Sequence, residues 1–317
     1  KDLMKKYGIP TAKYETFDDP EKVMDYIKAE GKYPVVIKAD GLALGKGVLI
    51  CQNEQEAADG VKEIMLDKKF GASGNHVVVE EFLTGPEVSV LSFCDGKTVK
   101  PMVSSMDHKR ALDHDEGLNT GGMGTVAPNP YYTPAVAERC MQEIFLPTVA
   151  AMQAEGYPFK GCLYFGLMLT PDGPKVIEYN CRFGDPETQV VLPLLESDLL
   201  TVMQACTNGT LDKTDVKFSD GAAACVILAS GGYPLAYEKG KEITGLDDVT
   251  DSFVFHAGTA VKDGRLVTNG GRVLGVTATA NTLPEALKKA YAATESIHFD
   301  KLHKRSDIGA RALAAMQ

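Results

Sequence analysis

Short apolar runs alternate along this chain with segments in which apolar residues recur at helical spacing, so strands and helices are predicted to alternate. In the first third of the chain, strands are predicted at residues 35–38, 48–51, 77–79 and 88–93. Asp19 and Pro20 predict the start of a helix that ends at Gly31. Asn53 and Glu56 form a capping-box pattern, which predicts the start of a second helix.

The rest of the chain continues this alternation after one long irregular stretch. Residues 104–130 are rich in Gly, Asn and His and predict a long loop, which inside a compact domain is usually functional or disordered. A helix that begins near residue 133 is expected to be kinked or ended by Pro147. Further strands are predicted near 163–169, 175–180, 222–229, 254–261 and 273–279, with helices near 187–206, after Thr282 and after Ser306.

Composition narrows the class of protein. The 317 residues carry 33 Lys plus Arg against 43 Asp plus Glu, which gives a formal net charge of −10, and the pI is about 5.2. This balance argues against a nucleic-acid-binding or membrane-binding surface, although a local cluster of cations and N–H groups can still hold phosphate. The longest wholly apolar run, residues 222–229, is far shorter than the roughly 20 residues of a membrane-spanning helix.

The N-terminus and the cysteines bear on the cellular location. The start, KDLMKK, lacks the apolar region of a signal peptide. The seven cysteines are scattered and contain no C-x-x-C pair, so we expect reduced thiols in a cytoplasmic protein, without a zinc site or a disulfide framework. Because the first residue is Lys and not Met, we also expect that a segment precedes it.

A Gly-rich stretch between two predicted strands is the first candidate site. It reads KADGLALGKGV from Lys38, and it departs from a Walker A loop because only three residues separate Gly41 from Gly45 and because Gly47 follows Lys46. It also joins two strands, whereas a Walker A loop joins a strand to a helix. Glycines let backbone N–H groups approach phosphates, and Lys38 would add a point charge. A flexible hairpin with a solvated Lys46 is the alternative.

The second candidate is the acidic segment EEFLTGPE, which runs from Glu80 to Glu87 directly after a predicted strand. A carboxylate and backbone groups at the end of a strand can hydrogen-bond an adenine edge, and a carboxylate seven positions further on can accept from ribose hydroxyls. The alternative is a solvated acidic turn.

The third candidate is the stretch VIEYNCRFGDPETQ, which begins at Val176. Alternate side chains of a strand share a face, so Glu178 and Asn180 are expected to project together, and Arg182 with them if the strand continues. Carboxylate and amide oxygens are ligands suited to Mg²⁺, and a guanidinium suits a carboxylate or a phosphate. An edge strand with a polar face is the alternative.

Together these three stretches resemble the ATP-grasp superfamily, and within it the family of phosphoribosylamine–glycine ligases of purine biosynthesis. The closest similarity is in RFGDPETQ at 182–189, DHKR at 107–110, NTGGMG at 119–124 and SGGYP at 230–234. The resemblance implies an α+β, ATP-grasp fold at residues 1–210, with a small lobe at about 12–80 and a large lobe at about 81–210 that close on ATP. A small C-terminal α+β domain would follow at 211–317. The family's Rossmann-like N-terminal domain is expected to be absent from this chain.

The resemblance also implies which residues bind ATP and its metal. Lys38, Gly45, Lys46 and Gly47 would cover the phosphates. Adenine would be held by Glu80, Glu81, Phe82 and Leu83, and the ribose by Glu87. Glu178 and Asn180 match the family's ligands for Mg²⁺, for which Mn²⁺ is a possible substitute.

The implied substrates are glycine and 5-phosphoribosylamine. The glycine carboxylate would attack the γ-phosphate of ATP, and the amine would then attack the resulting glycyl phosphate. Catalytic roles are expected for Arg182, Asp185 and Lys109, and substrate contacts for Asp107, Arg110, Gly121, Gly122 and Arg182. His108 is either an acid–base group or a hydrogen-bonded loop histidine.

Two other hypotheses remain at this point. The chain is either a different ATP-grasp ligase, against which RFGDPETQ speaks, or a nucleotide-binding fragment without turnover. In each case we expect a monomer or a homodimer that acts on small molecules.

Overall fold

The computed structural model describes residues 1–41 and 47–317. The chain divides into two compact units, Lys1–Gly85 with Met168–Ile177, and Pro86–Leu167 with Glu178–Gln317. Each unit contains helices together with antiparallel strands, which confirms the predicted α+β class. The predicted division at residue 210 stays a prediction.

The first unit is built on a four-stranded antiparallel sheet. Its strands lie in the order Tyr14–Phe17, Val77–Glu81, Val35–Ala39 and Val48–Cys51. Its α-helices are Asp2–Lys6, Pro20–Glu30 and Glu54–Val61, with a π-helical turn at Lys62–Leu66 and a 3₁₀ turn at Gly71–Gly74. The core lies between one face of the sheet and the two longer helices, where Val23, Ile37 and Val79 are almost fully buried. Burial of each such side chain stabilises the fold by about 1.5–3 kcal/mol.

The ends of these helices follow the sequence signals. Asp19 accepts a hydrogen bond from the N–H of Glu21 at 2.9 Å, and Gly31 ends the same helix with φ +60°, in the left-handed region. Asn53 accepts the N–H of Glu56 at 3.0 Å, as the capping box predicts. The Glu56 carboxylate returns to the N–H of Gln52 at 2.8 Å, one residue before the predicted N–H.

The second unit contains most of a second four-stranded sheet. Its strands lie in the order Gly173–Asn180, Lys160–Thr170, Glu87–Asp95 and Val99–Pro101. Residues 168–177, which comprise the end of the strand Lys160–Thr170, the turn after it and the beginning of the strand Gly173–Asn180, are grouped with the first unit. The α-helices of the unit are Pro134–Cys140, Leu146–Ala154, Thr188–Val191, Leu199–Asn208, Leu283–Thr294 and Ala310–Ala315. The 3₁₀ turns lie at Asp113–Asp115, Leu192–Leu194, Leu211–Lys213 and Leu246–Asp248.

Pro147 neither ends nor interrupts its helix. A π-helical turn, Met141–Phe145, joins Pro134–Cys140 to Leu146–Ala154, and Pro147 lies in the first turn of the latter segment. The wider turn accommodates a residue that has no N–H to donate. The predicted start of a helix near residue 133 is therefore confirmed. The helix does not end at Pro147: a π-helical turn lies directly before Leu146, and the helix continues to Ala154.

A six-stranded sheet forms the rest of the second unit. Its strands lie in the order Phe253–His256, Arg272–Ala280, Ala222–Ser230, Gly124–Ala127 and Met106–Asp107, and Leu302–His303 pairs with the third of them. Two hairpins are separate from this sheet, Arg110–Leu112 with Glu116–Asn119 and Thr259–Lys262 with Arg265–Thr268. The predicted strand at 254–261 is thus two strands, because the chain turns between His256 and Thr259.

The expectation of a long loop at 104–130 was wrong. Four short strands occupy this stretch, and two of them belong to the six-stranded sheet. Gly and Asn are poor strand formers on their own, but the neighbouring strand Ala222–Ser230, which is buried along its whole length, pairs with Gly124–Ala127. Long-range pairing therefore decided a conformation that local propensity did not indicate.

The buried guanidinium of Arg305 connects the C-terminal segment with the hairpin formed by Arg110–Leu112 and Glu116–Asn119. Arg305 is 1% exposed. Its Nε atom lies 2.7 Å from Oδ1 of Asp307, its Nη1 atom lies 2.9 Å from Oδ1 of Asp115, and Nη1 also donates to the carbonyl of Arg110 at 3.1 Å. A buried charge of this kind is tolerated only with such partners.

Within residues 1–41 and 47–317, no helix combines the length and the apolar character that crossing a membrane would require.

Candidate active site

Two lysines converge on one buried carboxylate in the first unit. The Nζ atom of Lys38 lies 3.1 Å from Oε1 of Glu80, and the Nζ atom of Lys1 lies 3.2 Å from Oε2. Glu80 is 5% exposed, and burial lowers the pKa of Lys1 although the Glu80 carboxylate opposes this. Two ammonium groups and one carboxylate leave one excess positive charge, which favours a phosphate nearby. The Glu80 side chain, expected at the adenine edge, is already paired.

The Gly-rich loop is described only at its ends. Of the residues predicted to cover the phosphates, Gly45 and Lys46 lie outside the described residues. Gly47 is buried, and its carbonyl accepts the N–H of Ala39 at 2.8 Å. This bond extends the pairing of Val35–Ala39 with Val48–Cys51 by one step, so the two ends of the loop are held together.

The segment predicted to hold adenine follows the strand Val77–Glu81. The Glu81 carboxylate accepts the N–H of Lys13 at 2.9 Å and lies 3.3 Å from Nζ of Lys175. Burial would raise the pKa of Glu81, but these two donors outweigh it and lower the pKa. Phe82 and Leu83 lie outside helices and strands, and Phe82 is 38% exposed. Their adenine contacts stay predictions.

The two predicted metal ligands lie side by side at the end of the strand Gly173–Asn180 in the second unit. The amide Nδ2 of Asn180 donates to Oε1 of Glu178 at 3.2 Å, so both side chains project from one face, as strand alternation predicts. Glu178 is exposed and Asn180 is half-buried. Among the described residues, no group of three or more His, Cys, Asp and Glu side chains is arranged to hold a metal ion.

Lys109 and Glu87 form an ion pair in the same unit. The Nζ atom of Lys109 lies 2.7 Å from Oε2 of Glu87, and both side chains are about half exposed. Burial would lower the pKa of Lys109, but the carboxylates of Glu87, Asp107 and Glu178 outweigh it and raise the pKa above its usual value. The residue predicted to be catalytic and the residue predicted to hold the ribose are therefore partners.

A buried carboxylate that received no role in the sequence analysis lies close to this pair. Glu187 is 5% exposed, and its Oε1 atom accepts the hydroxyl of Tyr164 at 3.1 Å. The Tyr164 hydroxyl also lies 2.7 Å from Oγ of Ser89. Burial raises the pKa of Glu187, and burial together with the Glu187 carboxylate raises the pKa of Asp107 well above its usual range. Glu187 belongs to RFGDPETQ, and that membership was the signal that could have identified it.

Gly122 lies against two segments that were predicted to bind substrate. Its φ is +113°, and an ideal Cβ atom there would lie 2.5 Å from Cδ of Pro186 and 2.7 Å from Oδ1 of Asp107. Only glycine allows this approach. The N–H of Gly122 donates to Oγ1 of Thr120 at 3.0 Å, and the N–H of Gly121 donates to the Tyr233 hydroxyl at 3.0 Å. Both predicted backbone donors are therefore used within the chain.

Arg272, which the sequence analysis did not single out, joins these segments. Its Nη1 atom donates to the carbonyls of Gly121 at 2.7 Å and of Asp185 at 2.9 Å. Its Nη2 atom lies 3.2 Å from Oδ2 of Asp185, and the Arg272 side chain is 19% exposed. Asp185, predicted to be catalytic, thus has Arg272 as its cationic partner. Nothing local in the sequence marks Arg272, because its partners are remote in the chain.

The two arginines that were predicted, Arg182 and Arg110, have partners close to them in the chain. Arg182 donates from Nη1 to the carbonyl of Phe183 at 2.8 Å, and Arg110 donates from Nη1 to the carbonyl of Gly117 at 2.8 Å. Both residues are exposed. In both cases the donor is one guanidinium nitrogen and the acceptor is a backbone carbonyl, so both guanidinium groups have further N–H donors available for an anion.

His108 is a structural histidine. It is 1% exposed; its Nδ1 atom lies 3.2 Å from the carbonyl of Gly124, and Nε2 accepts the N–H of Gly309 at 3.0 Å. Burial, together with the cations of Arg311 and Arg305, lowers the pKa of His108 to about 4. Its ring is therefore neutral near pH 7 and both nitrogens are occupied, which supports the hydrogen-bonded alternative and not the acid–base role.

Comparison with known proteins identifies the family. Residues 1–188 match the sequence model of the ATP-grasp (A) domain of phosphoribosylglycinamide synthetase, and residues 223–311 match the C domain of the same enzyme. A bifunctional purine biosynthetic protein of Pichia angusta is 51% identical over 98% of this chain, which spans 40% of that protein. A phosphoribosylamine–glycine ligase of Vibrio vulnificus is 48% identical over 100% of this chain, which spans 74% of that protein.

Solved structures agree with the sequence comparison. The phosphoribosylamine–glycine ligase of Thermotoga maritima superposes with a TM-score of 0.89 at 40% identity, over 97% of this chain and 76% of that one. The biotin carboxylase domain of a Hydrogenobacter thermophilus 2-oxoglutarate carboxylase, at 17% identity and a TM-score of 0.72 over 100% of this chain and 68% of that one, shares the fold alone. The chain belongs to the phosphoribosylglycinamide synthetase family and has the predicted ATP-grasp fold followed by a C domain.

Proposed function

We propose that this chain forms the nucleotide-binding and substrate-binding part of a phosphoribosylamine–glycine ligase, an ATP-dependent enzyme of purine biosynthesis. One observation carries the proposal. The A and C domains of phosphoribosylglycinamide synthetase match this chain in that order, and a relative named phosphoribosylamine–glycine ligase aligns with 100% of it. The juxtaposition of Glu178 and Asn180 supports it, since these residues resemble the family's metal ligands.

The proposed reaction proceeds in two steps, because a carboxylate is a poor electrophile until one of its oxygens becomes part of a leaving group. A carboxylate oxygen of glycine attacks the γ-phosphorus of ATP, the bond to the β–γ bridging oxygen breaks, and glycyl phosphate and ADP form. The amine nitrogen of 5-phosphoribosylamine then attacks the acyl carbon. Phosphate leaves with the bonding electron pair, and the amine gives up one proton as the amide forms.

The described residues fit a magnesium site at the end of the strand Gly173–Asn180. The Glu178 carboxylate and the Asn180 amide lie 3.2 Å apart, and a half-turn of the amide would present its oxygen beside the carboxylate. Two hard oxygen donors of this kind suit Mg²⁺, and Mn²⁺ has similar preferences. The chemistry that such an ion supplies is charge neutralisation on the phosphate oxygens.

The remaining roles follow from charge. Lys38 and Lys1 share the single carboxylate of Glu80, and the positive charge left over in this group would serve the phosphates of ATP. In the second unit, Arg182 presents an exposed guanidinium, which suits the anionic acyl phosphate. The carboxylates of Asp107 and Glu187 are both costly to keep ionised in their buried surroundings, so they favour a cationic group such as a substrate ammonium.

The cysteines favour the cytoplasm as the place of action. All seven are free thiols, and Cys181 is the exposed one among them. A protein of a reducing compartment keeps its cysteines in this state.

The deciding experiment measures ADP release by the protein as its gene encodes it. We expect release to require ATP, Mg²⁺, glycine and 5-phosphoribosylamine together, and each omission to reduce it to background. Equal release with another amino acid would point to a different ATP-grasp ligase. Binding of Mg-ATP in a calorimeter without any ADP formation would identify a nucleotide-binding protein without turnover.

A further inference from the structure

One guanidinium of the C-terminal region contacts both segments predicted to bind the substrates. Arg272 begins the strand Arg272–Ala280, where its pairing with Ala222–Ser230 shifts register next to Leu228 and Ala229. Such an irregularity redirects a side chain away from its regular position. Four contacts result: the carbonyls of Gly121, Gly122 and Asp185 at 2.7, 3.4 and 2.9 Å, and the carboxylate of Asp185 at 3.2 Å.

The contacted segments receive further support from nearby residues. The Tyr233 hydroxyl accepts the N–H of Gly121 at 3.0 Å, so the C-terminal region holds Gly121 on both its carbonyl and its amide side. The other carboxylate oxygen of Asp185, Oδ1, accepts the amide of Gln189 at 2.9 Å. An ideal Cβ atom at Gly121 would lie 3.0 Å from Cζ of Arg272, so the glycine permits the guanidinium to lie directly against the chain.

We propose that Arg272 is a positioning residue that fixes Gly121–Gly122 relative to Asp185. Through this residue, the C-terminal region determines the geometry of the substrate site. This inference rests on the proposed function. Only a planar, multiply donating group makes four contacts in this arrangement, and a lysine ammonium in its place has a single centre that cannot span them. The Arg272 charge also compensates the Asp185 carboxylate, which lies 3.2 Å from Nη2 and repels the nearby Glu187 carboxylate.

The test compares Arg272→Met and Arg272→Lys with a control, Arg265→Met, in the protein as its gene encodes it. Arg265 lies on the hairpin strand Arg265–Thr268 of the same region, is 69% exposed, and pairs with Glu242. We expect Arg272→Met to lower kcat/KM for glycine or for 5-phosphoribosylamine about 100-fold, while the Kd of Mg-ATP changes less than about threefold. Arg272→Lys should recover part of the loss, and Arg265→Met should match the parent.

A second measurement separates this inference from the proposed function, because it needs no turnover. Hydrogen exchange should show, in Arg272→Met, faster exchange confined to the amides of residues 119–124 and 184–189. Unchanged exchange there, or kcat/KM within about threefold of the parent, would overturn the inference. So would an equal loss for all three substrates that Arg272→Lys does not relieve. If the parent itself lacks ligase activity, the proposed function fails, and the exchange data still decide whether Arg272 positions these segments.

Discussion

The Nζ atom of Lys109 lies 2.7 Å from Oε2 of Glu87, and this pair connects a residue expected to be catalytic with a residue expected to hold the ribose of ATP. Lys109 follows the short strand Met106–Asp107, and Glu87 begins the strand Glu87–Asp95. Because both side chains are about half exposed, the pair adds only about 0–1 kcal/mol to stability. Its importance is therefore positional: Glu87 orients the ammonium of Lys109, and that ammonium occupies one oxygen of the Glu87 carboxylate.

A double-mutant cycle tests this coupling. We expect Lys109→Met to lower kcat about 100-fold, because it removes the cation of a residue expected to be catalytic. Glu87→Gln alone should lower kcat about tenfold, but in the Lys109→Met background it should have almost no further effect. Steady-state ADP release measures both. Additive losses would show that Glu87 acts independently, and Glu242→Gln, on an exposed pair with Arg265, is the matched control.

The proposed metal site makes a separate prediction. Glu178→Gln removes one negative charge from an exposed side chain, so the fold should be unaffected while kcat falls about 100-fold and the Mg²⁺ concentration for half-maximal rate rises. Thermal unfolding, expected to shift by less than about 2 °C, reports on the fold. Glu196→Gln, also exposed, serves as the control. Normal turnover in Glu178→Gln would place the metal elsewhere.

Gly122 provides a test of the substrate-binding loop. With φ +113° and an ideal Cβ only 2.5 Å from Cδ of Pro186, Gly122→Ala must displace the chain that carries Asp185 and Pro186. We expect a loss of about 2–4 kcal/mol in the free energy of unfolding, together with the loss of most activity. Gly156→Ala is the matched control, since Gly156 has φ +82° but nothing within 4 Å of its ideal Cβ. Its loss should be about 1 kcal/mol, measured by urea unfolding.

The buried His108 predicts a dependence of stability on pH. Its pKa is lowered to about 4 in the folded protein, whereas a histidine in the unfolded chain titrates near its reference value of about 6.5. Between these values the unfolded state binds the extra proton, so stability falls as the pH is lowered. From about pH 7.5 to about pH 5 the loss from this residue should be about 2 kcal/mol.

Comparison with His108→Asn isolates that contribution. The variant should be less stable than the parent at about pH 7.5, because its shorter side chain cannot bond both Gly124 and Gly309. It lacks the titrating ring, however, so its stability should fall less steeply on acidification. Urea unfolding at the two pH values gives both slopes. Parallel slopes would mean that His108 titrates normally in the fold.

Cys181 allows the proposed nucleotide site to be probed without turnover. It lies between Asn180 and Arg182 and is exposed, while the other six cysteines are buried. A maleimide should therefore modify one thiol of the native protein quickly, and Cys181→Ser should abolish this modification. Saturating Mg-ATP should slow the labelling if the metal lies at Glu178 and Asn180. A labelling rate indifferent to Mg-ATP would argue against nucleotide at this strand end.

Local features of the fold were predictable because their causes are local. The helix Pro20–Glu30 has both of its predicted ends, since a cap and a left-handed glycine act on adjacent residues. The juxtaposition of Glu178 and Asn180 follows from the two-residue period of a strand and was predicted on that ground. The family resemblance added the expected ligands, which strand periodicity alone could not assign.

Features that depend on remote residues could not be predicted in this way. The strand Gly124–Ala127 forms because Ala222–Ser230, about a hundred residues later, pairs with it. Likewise, Arg272 contacts Gly121 across 151 positions. Glu187, directly before the helix Thr188–Val191, is hydrogen-bonded to Tyr164 of the strand Lys160–Thr170. A single sequence has no local signal for such pairs, because burial and long-range hydrogen bonding define them.

The deeply buried guanidinium of Arg305 has a consequence for how such a gene can change. Its carboxylate partners, Asp115 and Asp307, come from distant parts of the chain, yet each neutralises the same charge. Splitting the gene between residues 115 and 305 would place Asp115 and Arg305 on two polypeptides, and their buried ion pair could then form only when the two polypeptides associate. Descendants are therefore expected to keep residues 115 and 305 on one polypeptide.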